Sequence, residues 1–68
     1  MYALKHHFKD NVVTLLTDSS KWQLIKQLNL IASVLLYDTE IDEVQMYITH
    51  FQALKKDGTK EQYLVVKL

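Results

Sequence analysis

From Tyr2 to Phe8 the chain alternates, with Tyr2, Leu4, His6 and Phe8 falling on one side and Ala3, Lys5 and His7 on the other. A period of two is that of a strand with one buried face. Lys9-Asp10-Asn11 reads as a turn, because Asp and Asn tolerate left-handed backbone, and Val12-Val13-Thr14-Leu15-Leu16-Thr17 supplies a β-branched partner strand. With Asp10-Asn11 as a two-residue turn, Phe8 would face Val13 and His6 would face Leu15, which makes the apolar faces coincide.

The period then changes. Asp18-Ser19-Ser20 offers cap oxygens, and Ser20 followed by Gln23 has capping-box spacing. Leu24, Leu28, Ile31 and Leu35, with Ile25 and Ala32 beside them, form an apolar stripe at helical spacing. Lys21, Lys26, Gln27 and Asn29 keep the first half amphipathic, but beyond Asn29 only Ser33 is polar until Asp38. Leu30, Val34 and Leu36 therefore add apolar surface on the side expected to meet water. Either the second half of the helix packs on a second subunit, or residues 30 to 37 form a buried strand; length favours the helix.

Gly58 is the only glycine in a chain without proline, and it follows Asp57 between two stretches rich in β-branched and aromatic residues. Asp57-Gly58 is thus a hairpin turn, whose first strand is expected over Val44 to Leu54 and whose second runs from Tyr63 to Leu68 with the potential to be an exposed edge. A short helical turn near residues 39 to 43 is compatible with Thr39 and Asp42. A two-residue turn would set Phe51 against Leu64, and a three-residue turn with a bulge would set it against Tyr63; both registers remain open. The resulting order is ββαββ, an α+β domain over residues 1–68 in which one helix packs on one face of an antiparallel sheet.

At 68 residues, with 49% of them apolar, a single domain of this kind buries only about 60% of its unfolded surface. There is no cysteine, and so no disulfide to support a thin core. Another subunit is the remaining support, and a homodimer is expected. The longest apolar run, Leu30 to Tyr37, is too short to span a bilayer and lies far from the N-terminus, so neither a membrane helix nor a signal peptide is expected. A cytoplasmic protein follows, and a start at Met1 without an affinity tag suggests a complete short reading frame.

Eight lysines balance eight carboxylates, and arginine is absent. That weighs against nucleic acid, since arginine supplies the planar fork that matches phosphate and guanine. Asp38, Glu40, Asp42 and Glu43 form an acidic segment while Lys55, Lys56 and Lys60 crowd the Gly58 turn, a pattern that suits solvated loops and protected edges.

Candidate chemistry is sparse. His6 and His7 point to opposite faces of a strand and cannot readily share a metal with His50. His6 is expected as a hydrogen-bonded residue at the core edge, and His7 and His50 as surface strand residues. Asp38, Glu40 and Asp42 alternate like the first ligands of a calcium loop, but the sixth position is Glu43 rather than Gly and the twelfth is Thr49 rather than Glu. No serine or threonine has a recognisable base partner, so no enzyme, cofactor or metal is expected.

The expectation is a non-enzymatic interaction or regulatory module, a homodimer that binds a larger protein. Its candidate interface is Trp22, Leu30, Val34, Leu36 and Tyr37. The alternative is a sheet-based binder of single-stranded DNA or RNA, with Tyr47, Phe51 and Tyr63 as stacking rings and Lys55, Lys56 and Lys60 as phosphate contacts.

Overall fold

The computed structural model describes residues 1–68. Six elements follow one another: β1 (Tyr2–Phe8), β2 (Asn11–Asp18), α1 (Lys21–Leu35), β3 (Ile41–Met46), β4 (His50–Lys55) and β5 (Lys60–Lys67). The strands form one antiparallel sheet in the order β2-β1-β5-β4-β3, and α1 packs on one face of it. The α+β class with a single covering helix is as the sequence implies. No helix is long and apolar enough to cross a membrane.

The stretch expected as one strand from Val44 to Leu54 is two, because the chain reverses at Tyr47-Ile48-Thr49-His50, where the Tyr47 N–H donates to the His50 carbonyl at 2.7 Å. No glycine marks this turn, and its β-branched Ile48 and Thr49 look like strand residues in the sequence. The sheet thereby gains a fifth strand. In place of a helical turn over residues 39 to 43 there is one hydrogen-bonded turn ahead of β3: the Ile41 N–H donates to the Asp38 carbonyl at 3.2 Å, the Asp38 carboxylate accepts the Glu40 N–H at 2.9 Å, and β3 starts at Ile41. Nor is the C-terminal strand an edge. β5 lies between β1 and β4, and the edges are β2 and β3.

The first hairpin turns one residue earlier than Asp10-Asn11. Lys9 takes the left-handed conformation with φ 55°, and Asn11 pairs with Phe8 as a strand residue. His6 faces Val13 rather than Leu15; the shift is two residues, so the side chains up to Thr14 keep their expected faces, whereas past the bulge Leu16 and Thr17 exchange theirs. Further along, Lys5 faces Thr14 while Leu4 faces Leu16, which leaves Leu15 as the extra residue of a bulge.

The second hairpin closes with three residues. Gly58 donates to the Lys55 carbonyl at 2.9 Å and Lys55 to the Thr59 carbonyl at 2.8 Å, with Gly58 at φ 89°. Phe51 therefore faces Tyr63. The Asp57 carboxylate accepts from both the backbone N–H and the hydroxyl of Thr59, which hold its pKa below the usual carboxylate value.

Helix α1 starts where Ser20, in extended backbone, accepts the Gln23 N–H on its hydroxyl at 3.4 Å, and it continues through residues 30 to 35. Leu24, Ile25, Leu28 and Ala32 are buried against Leu4, Phe51, Ala53, Tyr63 and Val65, with Ile31 and Leu35 packed alongside. Each buried leucine contributes about 1.5–3 kcal/mol relative to leaving it exposed. The helix begins after β2, at one edge, and ends before β3, at the other, so it crosses the sheet obliquely.

Gly58 carries the one glycine-dependent conformation. A Cβ there would meet nothing within 4 Å, so the cost of a side chain is that of the backbone alone. Gly58→Val is expected to lower stability by about 1 kcal/mol or more, and Gly58→Asn by less, because Asn tolerates positive φ. Urea titration of the three proteins checks the order.

Candidate functional site

Although about half the residues are apolar, only 11 of 68 are buried, so much apolar surface faces outward. Much of it lies in three places: the second half of α1, strand β2, and Met46 to Ile48 before β4. Leu30, Ile31, Val34 and Leu35 line an open apolar groove of about 300 Å³ on the second half of α1. Val34 is 71% exposed, and Leu36 and Tyr37 extend the surface past the helix end. The cause is the change of pattern after Asn29: a helix over a sheet buries one stripe, and here the opposite stripe is apolar as well. Ser33 does not interrupt it, since its hydroxyl donates back to the Leu30 carbonyl at 2.8 Å. Trp22 is exposed in the first turn, two turns before Leu30, and stands apart from this surface.

The three rings named for nucleic-acid stacking are not brought together on an open face. Phe51 and Tyr63 are buried beneath α1, their centroids 6.3 Å apart, and only Tyr47 is exposed, in the β3–β4 turn, where it stacks on His50 at 5.7 Å. Of the lysines, Lys56 is in the β4–β5 turn and Lys60 begins β5, whereas Lys55 is occupied by an ion pair. That pair belongs to a constellation with no motif in the sequence.

Glu61 is the one buried charged residue. It lies on the helix-bearing face, two residues before Tyr63, and its carboxylate accepts from Lys55 Nζ at 3.1 Å, from His6 Nε2 at 3.2 Å and from the Tyr63 hydroxyl at 3.3 Å. The donors come from β4, β1 and β5, so the carboxylate ties the three central strands together. His6 stacks flat on Tyr63, with centroids 4.3 Å apart and planes at 7°, and Lys55 stands over the Phe8 ring at 5.3 Å. The hydrogen bond and charge of Glu61 hold the Lys55 pKa above its usual value. None of the surface depressions is lined by Glu61; the largest, about 380 Å³, lies on the other sheet face among His7, Lys9, Gly58, Thr59, Lys60 and Gln62. The arrangement acts as a clamp on the strands. Hydrophobic patterning could not find it, but the parity of β5 could have, by placing a glutamate in line with Tyr63 and Val65.

Burial, the charge of Glu61 and the hydrogen bond to it push the Tyr63 pKa from 10.0 up to about 12. In the unfolded chain the phenol ionises near 10, while the folded chain keeps its proton, so stability falls between these two values. Wild type is expected to lose about 1–2 kcal/mol more than Tyr63→Phe as the pH rises from 10.0 to about 12. Denaturant titrations across that range check it, and phenolate absorbance should show the last tyrosine to ionise missing in the variant. Comparison of the chain with protein-family models, with curated proteins and with solved structures finds no match.

Proposed function

We propose that the chain is a small non-enzymatic interaction module, a homodimer that regulates or inhibits a larger cytoplasmic protein by occupying a surface on it. The observation that carries this reading is the apolar groove of Leu30, Ile31, Val34 and Leu35 with its extension through Leu36 and Tyr37. An apolar patch of this kind on a monomer is costly to leave in water and suits contact with another protein. The absence of charge among these residues favours an interface insensitive to salt. Burial of Phe51 and Tyr63, together with zero net charge and no arginine, weighs against single-stranded nucleic acid as the ligand.

Leu30→Lys and Val34→Lys, both at exposed positions, are expected to leave thermal unfolding nearly unchanged, since lysine is a good helix former and suits the last turns of a helix. Wild type immobilised in lysate of its source should retain a protein through nuclease treatment and high salt, and both variants should lose it. Retention of the same protein by the variants, or recovery that collapses with nuclease, would sink the reading.

A further inference from the structure

Resting on the homodimer reading, we infer that the edge strand β2 is the seam on which the chain pairs with a second copy of itself. The two β2 strands run antiparallel about a two-fold axis normal to the sheet, between Thr14 and Leu15. The two five-stranded sheets become one of ten.

The first ground is the contrast between the two edges. β3 is six residues long and carries Asp42 and Glu43, charges of the kind that discourage strand addition. β2 is eight residues long and has no charge before Asp18 at its end. Val12, Val13, Leu15 and Leu16 are each between 44% and 55% exposed, on an edge whose outward N–H and C=O groups have no strand beside them. Its bulge is its only protective irregularity.

The second ground is what that bulge does to the pattern. Residues directly opposite one another share a sheet face, so Asn11, Val13, Leu16 and Asp18, opposite Phe8, His6, Leu4 and Tyr2, lie on the helix-bearing face. Val12, Thr14 and Thr17, opposite His7, Lys5 and Ala3, lie on the other. A regular strand of eight residues would begin and end on opposite faces. The extra residue at Leu15 makes the order of faces read the same from either end. An antiparallel self-pair then sets Val13 against Leu16 of the second copy and Val12 against Thr17, each on a matching face. Asn11 meets Asp18, and no like charges oppose one another. Such a strand is its own complement, which is why the occupant is a second copy rather than a foreign peptide. Each chain uses its one uncharged edge, and the assembly closes at two.

The test is sedimentation equilibrium on the whole chain. Wild type should be dimeric, and Val13→Lys/Leu16→Lys, which places lysines against each other across the seam, should raise the dimer dissociation constant by about tenfold or more. Val13→Lys/Leu16→Glu should restore the dimer, because opposite charges then meet at the same two points. Hydrogen exchange of wild type needs no variant: alternate β2 amides should become protected as protein concentration rises. A wild type monomeric at all concentrations would overturn the seam and the homodimer together. A wild-type dimer whose β2 amides show no added protection, and which Val34→Lys dissociates, would overturn the seam alone and put self-association on α1.

Discussion

A five-stranded sheet is about 19 Å wide between the axes of its edge strands, whereas a helix with its side chains is about 10 Å across, so a single helix can cover little more than half of it. The rest of this molecule follows from that shortage of cover. By crossing obliquely, α1 spends its buried stripe, Leu24, Ile25, Leu28 and Ala32, on the middle of the sheet, against Leu4, Phe51, Tyr63 and Val65. Cover thins toward the edges: Ile41 and Val44 of β3 still pack against the core, while Val13 and Leu16 of β2 stay exposed. A chain of 68 residues has no second helix to offer, and the apolar side chains outside the covered zone remain on its surface.

Glu61 shows how part of the inner face is held. It occupies a buried position on a central strand, where another chain would place valine or leucine. A carboxylate there would normally suffer from desolvation. Here Lys55, His6 and Tyr63 supply donors from three strands, so the charge is compensated and the strands are cross-braced. The flat stack of His6 on Tyr63 and the Lys55 ammonium over Phe8 fill the corner with amphipathic side chains whose polar ends converge on Glu61.

Local signals carried much of the fold. The alternation of Tyr2 to Phe8, the Ser20 cap and the lone Asp57-Gly58 pair are each governed by residues within a few positions, and each predicts its element. Where the reading failed, the deciding contacts were distant. Tyr47 to His50 turns without glycine, and Thr49 is positioned by β5, whose Val65 N–H donates to its carbonyl at 2.9 Å. The strand order, which puts β5 in the centre and β2 at the edge, is set by pairing between chain ends and has no local signature. For the candidate surfaces, Leu30, Val34, Leu36 and Tyr37 could be recognised because a helix with two apolar faces is anomalous in sequence alone. Of the Glu61 clamp, the parity of β5 places the glutamate on the inner face, but its partners, up to 55 positions away, have no local signal.

The two edges of the sheet put the same shortage to different uses. β3 is blunted by Asp42 and Glu43, while β2 is left apolar and uncharged until its last residue. Exposed edge strands invite uncontrolled association, and a chain with one protected and one open edge limits that association to a single seam. The bulge at Leu15 orders the strand's faces symmetrically about its midpoint, so a twofold pair is the arrangement that satisfies them. Pairing through β2 would leave the Val34 surface of each helix free, and a homodimer of this form would present two copies of its apolar groove to a larger protein.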